Sequence, residues 1–548
     1  MTRPFAVPPD PAAWAVPAAA SDPAIRSWWR GLLLALAGLF ALRVVLMVSS
    51  QASLHVDEAQ YWDWSRQLQW GYYSKPPVIA ALIRASTSLF GDSELGIRLL
   101  AMLCWPLMAW VLAVLGNTLA QATQTSSDSA LRPVQIGVAA ALLWLCSPLA
   151  GLLGMVATTD TPLLLCWALA LYALWRAVIL RRRGAWWLLG LVCGVGLLDK
   201  YTMAALLPGA AVWVLRQGRP RDLLRLVGAV LLALVLLAPN LIWNAAADWP
   251  TLRHTADITV RATAPGNIWQ LAPQRVIEFV LGQVIVLGPL VLLGALVWAV
   301  RRKGAKAASL PTATPMKTAV SGLLLWTSLP LLAVGLLQAA RGHAEINWIA
   351  PVHLAAVLAL AHAVPRLARL RGAALLLVLQ LSLISAISSA PVWLQDTQPK
   401  LASAIDPWRR MRGWHDAFAE LEPHLRAQPG GLVVIESRLA LAQAAYHWRH
   451  ADVRRAAWTP QAVPDHHYQL TCPWQPGLNA AVTGPLWVLS EGAPGADMAA
   501  ALGGLELVAE VPVRRLGRVN STLQLLRAPH PPAVATPLSA AALVATCL

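Results

Sequence analysis

Two adjacent carboxylates, Asp57 and Glu58, open an aromatic-rich stretch, H-V-D-E-A-Q-Y-W-D-W-S-R-Q-L-Q-W-G-Y-Y-S-K-P-P, over residues 55–77. Acids are sparse in this chain, 27 Asp and Glu among 548 residues, so a pair placed directly after a long apolar run calls for a purpose. A carboxylate can take a proton from a hydroxyl or amine, and an ammonium can hold a phosphate. Lys75 supplies the ammonium, in a turn stiffened by Pro76 and Pro77. The pattern predicts a helix over 56–68, on which Asp57, Tyr61 and Trp64 share a face. Trp62, Trp64 and Trp70 suit a helix lying among lipid headgroups. The plainer reading, in which Asp57 caps a helix and Lys75 meets headgroups, is about as good from these residues alone.

Further polar turns shift that balance. Thr158-Thr159-Asp160-Thr161-Pro162 closes one turn between apolar runs, Asp199-Lys200-Tyr201-Thr202 another, and Arg341-Gly342-His343-Ala344-Glu345-Ile346-Asn347-Trp348 a third. Charge beside hydrocarbon is costly and is kept where it pairs or binds something. Several loops thus deliver carboxylates and cations to one membrane surface, the set needed to hold a phosphate-bearing lipid and activate a nucleophile.

The elements that must position these residues are membrane helices. The chain is 57% hydrophobic and 13% charged. About eleven apolar runs are long enough, or nearly so, to cross roughly 30 Å of hydrocarbon. They fall at 31–49, 96–117, 134–156, 161–180, 185–198, 202–216, 226–243, 275–300, 318–338, 347–364 and 373–391, the fifth and sixth being short. Basic residues precede the first run (Arg26, Arg30) and follow the fourth (Arg181, Arg182, Arg183), sixth (Arg216, Arg219, Arg221, Arg225), eighth (Arg301, Arg302, Lys303, Lys306) and tenth (Arg366, Arg369, Arg371). In an alternating chain all these lie on one side, which the positive-inside rule makes cytoplasmic. The loops at 50–95, 157–160, 199–201, 244–274 and 339–346, and everything after 391, are then outside. Lys200 stands against that rule. The net charge of +16 lies mostly in the cytoplasmic loops, so it reads as topology and anionic headgroups and implies no nucleic acid partner. The Pro/Ala-rich first residues read as a disordered tail before an uncleaved anchor.

The domains expected are a cytoplasmic tail over 1–30, a transmembrane domain over 31–391 with its first outer loop at 50–95, and a soluble domain over 392–548. In the last, a helix over Trp408–Ala427 stops at Pro429-Gly430-Gly431. Leu432–Glu436, Pro485–Ser490 and Ser521–Arg527 read as strands and Leu439–His450 as a helix, a small α/β fold. Cys104, Cys146, Cys166 and Cys193 lie in spans as small apolar residues, whereas Cys472 and Cys547 lie outside, where a disulfide is allowed. No nucleotide-binding glycine motif occurs.

On these motifs the chain resembles bacterial members of glycosyltransferase family 39, within the GT-C superfamily that includes protein O-mannosyltransferases and the aminoarabinose transferase of lipid A. The similar stretches are D-E-A-Q-Y-W-D-W-S and G-Y-Y-S-K-P-P within 57–77, T-T-D-T-P-L-L at 158–164, G-L-L-D-K-Y-T at 196–202, N-L-I-W-N and W-P within 240–250, E-F-V-L-G-Q at 278–283 and R-G-H-A-E-I-N-W at 341–348. They recur in order through most of residues 50–365. The resemblance implies a GT-C membrane fold and an inverting transferase that takes a sugar from a polyprenyl-phosphate donor at the outer face of the cytoplasmic membrane. It implies Asp57 as general base, and Lys75 and Lys200, with Arg275 a weaker third, as holders of the donor phosphate. Asp160 and Glu58 would orient acceptor, sugar or a divalent metal. Tyr61, Tyr72, Tyr73, Tyr201, Glu345 and Asn347 are assigned to substrate binding. Ser74 departs from the family, standing where an acid can neighbour the lysine; that argues against a metal bridging this loop and against lipid A aminoarabinose chemistry. No cofactor is called for with certainty, and a divalent metal, for which His254 is one ligand to consider, is left open.

The partners implied are the donor lipid, a lipid, glycan or protein acceptor, and membrane lipids. A transporter or lipid flippase is the alternative; it would place ionisable residues near the bilayer midplane rather than at loop ends. A scaffold acting through its outer domain would leave the Asp57–Lys75 constellation without a purpose.

Overall fold

A computed structural model describes residues 22–124, 132–260, 272–288, 314–342, 344–363, 370–460, 463–474 and 484–528. The tail before residue 22, most of the basic residues after the eighth and tenth apolar runs, His343 and Cys547 fall outside these.

In chain order the helices are α1 (Pro23–Ser49), α2 (Val56–Arg66), α3 (Val78–Phe90), α4 (Glu94–Thr123), α5 (Pro133–Leu145), α6 (Pro148–Leu153), α7 (Asp160–Val178), α8 (Gly184–Leu197), α9 (Leu206–Gln217), α10 (Pro220–Ala246), α11 (Pro250–Val260), α12 (Ala272–Leu287), α13 (Pro315–Arg341), α14 (Ala350–Ala363) and α15 (Leu370–Leu394). Then come α16 (Pro399–Ile405), α17 (Trp414–Arg426), β1 (Leu432–Ile435), α18 (Arg438–His447), β2 (Arg454–Ala457), α19 (His467–Thr471), β3 (Leu486–Glu491), α20 (Ala496–Leu502), β4 (Glu506–Arg515) and β5 (Arg518–Arg527). Among the described residues five helices, α1, α4, α7, α10 and α13, are long and apolar enough to cross a membrane. Helices stand at the other expected runs as well. The third run is broken: Cys146 ends α5, and Ser147 caps α6, its Oγ accepting from the Ala150 N–H at 3.1 Å, with Pro148 at the first helical position.

The chain divides into two compact units. One comprises Met1–Arg43, Leu100–Trp249 and Thr255–Ile384. It is built of packed helices whose close approaches rely on small residues. Gly190 and Gly194, four apart on α8, lie against Ala229 and Ala233 of α10, and a side chain at Gly209 of α9 would collide with the Trp326 carbonyl of α13. With no water to drive association inside a bilayer, such van der Waals contact between backbones holds helices together.

The other unit comprises Val44–Leu99, Pro250–His254 and Ser385–Leu548. It holds a five-stranded sheet in the order β2-β1-β3-β5-β4. β1 runs parallel to β2 and β3, while β5 is antiparallel to β3 and β4. Every residue of β1 is buried, as a central parallel strand requires. Leu432, Val434, Trp458, Trp474, Val488 and Met498 form the core of one face. Two strands escape the sequence reading. β2 is R-R-A-A, too short and too polar to stand out, and β4 is an edge strand carrying Pro512 with much of its length exposed. The four cysteines at 104, 146, 166 and 193 are free and buried, and Cys472 is disulfide-bonded.

Candidate active site

In the unit with the sheet, the first loop is ordered around α2. His55 caps the helix: its Nδ1 accepts the Asp57 N–H at 3.3 Å, while Glu58 Oε2 accepts the His55 N–H at 3.0 Å. This capping box explains why two acids stand side by side, since one is needed at the third helical position to close the turn. Glu58 is then used up. It receives Arg98 Nε at 2.8 Å and Nη2 at 2.7 Å in a fork-to-fork pair, with side chains only 1% and 0% exposed. Arg98 Nη2 also donates to the Ser53 carbonyl at 2.6 Å, so the pair fastens the segment leading into α2.

Asp57 lies one residue earlier, turned about 100° around the helix. Its side chain is 43% exposed. Arg438 Nη1 donates to its Oδ1 at 3.0 Å, and His55 Nδ1 is 3.7 Å from Oδ2. Burial raises the Asp57 pKa, but the Arg438 charge, with His55, the Arg438 hydrogen bond and Lys75, outweighs it and holds the carboxyl below its ordinary range. Asp57 is therefore ionised at neutral pH, and Lys75, half-buried in its turn, is near enough for its charge to be felt there.

The turn itself is built by Tyr72. Its N–H donates to the Lys75 carbonyl at 3.0 Å, its ring stacks on Trp64 with centroids 4.5 Å apart and planes 1° from parallel, and its hydroxyl donates to the Trp64 carbonyl at 3.0 Å. Thr251 Oγ1 donates to the Tyr72 carbonyl at 2.7 Å. His467 meets both rings edge-on, and burial pushes its pKa down to about 3, so it is a neutral packing group. Tyr72 is buried and holds the Lys75 turn in place. Tyr61, also buried, packs on Trp64, whereas Tyr73 donates to the Pro464 carbonyl at 3.0 Å and lies beside the His254 ring.

The helical unit gathers the other expected residues. Asp160 begins α7 and is 5% exposed; Lys200 Nζ donates to its Oδ1 at 2.7 Å and Asn347 Nδ2 to its Oδ2 at 2.6 Å. Three turns far apart in sequence thus meet on one carboxylate. The charge of Lys200, anomalous by topology, is answered by Asp160. Tyr201 starts the next 3-10 turn, Tyr201–Ala205. Its hydroxyl donates to Asn240 Oδ1 at 2.6 Å and accepts from Asn244 Nδ2 at 3.3 Å, which gives the N-L-I-W-N segment of α10 a structural purpose. Glu345 precedes the 3-10 turn Ile346–Ile349 and is exposed. Arg275, near the start of α12, makes no hydrogen bond or ion pair among the described residues.

Sequence reading missed Arg98, Gln60 and Arg438. Arg438 lies at the start of an R-L-A-L-A-Q stretch; its position just after Ser437, at the end of a buried strand, was the signal available. Among the described residues no three His, Cys, Asp or Glu side chains are gathered to hold a metal.

Over residues 74–243 the chain matches the family described as dolichyl-phosphate-mannose-protein mannosyltransferase. It is 30% identical over 466 residues to the lipid A galacturonosyltransferase RgtD of Rhizobium johnstonii, covering 84% of this chain and 91% of that protein. It is 30% identical over 238 residues to an undecaprenyl phosphate-alpha-4-amino-4-deoxy-L-arabinose arabinosyl transferase of Pseudomonas fluorescens, covering 40% of this chain and 39% of the relative. The crystal structure of ArnT from Cupriavidus metallidurans bound to undecaprenyl phosphate shares the fold, with a TM-score of 0.59 at 14% identity, over 90% of this chain and 98% of that one.

Proposed function

The chain belongs to glycosyltransferase family 39 of the GT-C superfamily, and from that premise we propose that it moves one sugar, with inversion, from a polyprenyl-phosphate donor to a lipid acceptor at the outer face of the cytoplasmic membrane. RgtD supports a lipid A-like acceptor for this chain, and the apolar runs with their flanking basic residues support a multi-pass protein with about eleven spans, its N-terminus inside. The observation that carries the reading is Asp57: an ionised carboxylate, half-exposed, beside the positive charges of Arg438 and Lys75.

In the proposed reaction Asp57 takes the proton of the acceptor hydroxyl as its oxygen attacks the anomeric carbon. The bond from that carbon to the phosphate oxygen breaks, and polyprenyl phosphate leaves with the electron pair. Lys75 and Lys200 stabilise the charge growing on the phosphate, with Arg275 in a lesser role. Lys200 is held by Asp160, which Asn347 in turn fixes, so Asp160 serves as its mount. Glu58 and Tyr72 hold the loop that carries the base. Tyr61, Tyr73, Tyr201 and Glu345 stay assigned to the substrate pocket.

The test is donor consumption by membranes containing wild type or Asp57→Asn, offered a panel of polyprenyl-phosphate sugars led by galacturonic acid and aminoarabinose, with lipid A as acceptor. The wild type should release polyprenyl phosphate from one donor and the variant should not. Full transfer by the variant removes Asp57 as base, and no consumption by the wild type with any donor moves the question to a transport assay.

A further inference from the structure

Arg438 is the first residue of α18, just past the C-terminal end of β1. That edge of a parallel sheet is where α/β folds hold ligands, because chain turns and helix N-termini converge there. Ser437 fixes the turn: its Oγ accepts from the N–H groups of Leu439 at 3.2 Å and Ala440 at 3.3 Å and donates to Glu491 Oε1, at the end of β3, at 2.7 Å. From this mount a single nitrogen, Arg438 Nη1, donates to Asp57 Oδ1 at 3.0 Å and to Gln60 Oε1 at 2.8 Å. The same helix grips the segment before α2 twice more. Gln443 Nε2 donates to the Leu54 carbonyl at 3.0 Å, and His447 Nε2 lies 3.3 Å from Ser53 Oγ. Asp57 Oδ2 is treated differently. The nearest ring nitrogen, His55 Nδ1 at 3.7 Å, is already accepting the Asp57 N–H, and no described residue donates a hydrogen bond to Oδ2.

We propose that Arg438 is a positioning residue for the transfer reaction: it ties down Oδ1 and leaves Oδ2 as the one oxygen open to the acceptor hydroxyl, so the sheet domain sets the geometry of the base. This rests on the reading of Asp57 as the base. In the step, the acceptor proton passes to Oδ2 while the acceptor oxygen bonds to the anomeric carbon and the phosphate leaves with the electron pair. The charged and titratable groups facing Asp57 are His55 from the segment before α2, Lys75 from its turn and Arg438 from α18; His466, before α19, stands near Arg438. Burial and then the Arg438 charge push the His466 pKa down to about 4, so it is neutral at working pH. Asp57 works in its ionised form, above its pKa, and Arg438 lowers that pKa. Loss of the guanidinium must therefore move the acidic limb of the rate profile to higher pH.

The experiment uses full-length protein in phosphatidylethanolamine–phosphatidylglycerol vesicles, with polyprenyl-phosphate galacturonic acid as donor and lipid A as acceptor. Transfer is followed against pH for wild type, Arg438→Gln, Arg438→Lys and Asp57→Asn. Arg438→Gln should lower kcat by about 10- to 100-fold with KM little changed, the size expected for a misplaced reacting group. Its deficit should widen toward acid pH. Arg438→Lys keeps the charge but cannot reach both oxygens from one planar nitrogen, so kcat falls while the acidic limb stays near wild type. An Arg438→Gln enzyme with the wild-type profile, beside an inactive Asp57→Asn, overturns the inference and leaves the base in place; an active Asp57→Asn overturns the base reading itself. If Arg438→Gln melts early in detergent, Arg438→Lys decides, and wild-type kcat there overturns the positioning role.

Discussion

Asp57 and Asp160 both stand at the start of a helix beside cationic side chains, yet the chain treats them in opposite ways. Asp160 is 5% exposed and both its oxygens are taken, one by Lys200 and one by Asn347. Asp57 is 43% exposed with one oxygen held and the other open. Glu58, the immediate neighbour of Asp57, sits with Asp160 on this scale: buried, with both oxygens engaged by Arg98. A carboxylate with no vacant lone pair facing solvent cannot take a proton without breaking a bond, so it holds structure. One with a free, ionised oxygen can do chemistry. Motif and charge mark all three acids alike, and it is burial together with the count of occupied oxygens that separates them.

That distinction can be broken by experiment. The largest effect belongs to Asp57→Asn, which should cut transfer by about 100- to 10,000-fold while leaving melting in detergent unchanged. Next is Arg98→Ala, which strands Glu58 as a buried, unpaired charge. It should destabilise the unit with the sheet by about 3–5 kcal/mol, read as early melting or loss of folded protein. If Arg98→Ala instead melted like wild type and lost only activity, Glu58 would stand beside Asp57 as a candidate for the chemistry. Asp160→Asn is expected to fall between, keeping the Asn347 contact in part but weakening the hold on Lys200. It should raise the donor KM and lower melting together, and a pure loss of kcat would place Asp160 in the chemistry. Smallest is Tyr72→Phe. It keeps the stack on Trp64 and loses the hydroxyl bonds to the Trp64 carbonyl and the Gln69 N–H, about 1 kcal/mol of stability, with the Lys75 turn still formed.

Much of the fold was legible because hydropathy is a strong signal: helices stand at every expected apolar run within the described residues. The break at Ser147-Pro148 carries its own marks, a capping serine and a proline at the first helical position, but the apolar residues on both sides conceal it in a hydropathy pattern. β2 and β4 were lost because arginines and an edge-strand proline conceal a strand whose pairing is decided by neighbours far away in sequence. The acids of the first loop were legible as a candidate site, and the resemblance singled out Asp57 as base, but the residues alone did not show that Glu58 is buried and paired. Adjacent helical residues point about 100° apart, and only tertiary partners say which direction is buried. Arg438 was hidden for a similar reason, since 381 residues separate it from Asp57.

The chain just after α1 is held by two buried arginines. Arg98 reaches the carbonyl of Ser53, and Arg412, itself paired with Asp406 at 2.7 Å, donates to the carbonyl of Ser50 at 2.5 Å. Those two contacts are made at very different times on the ribosome. Arg98 follows Ser53 by 45 residues, whereas Arg412 follows Ser50 by 362. A chain growing from its N-terminus can thus form one clasp almost at once, while the second waits for nearly everything else to be synthesised. The segment leading into α2 and Asp57 is fully secured only once the C-terminal domain has emerged and folded. A chain that ends before Arg412 lacks the second clasp, so the C-terminal domain completes the hold on the segment leading into α2.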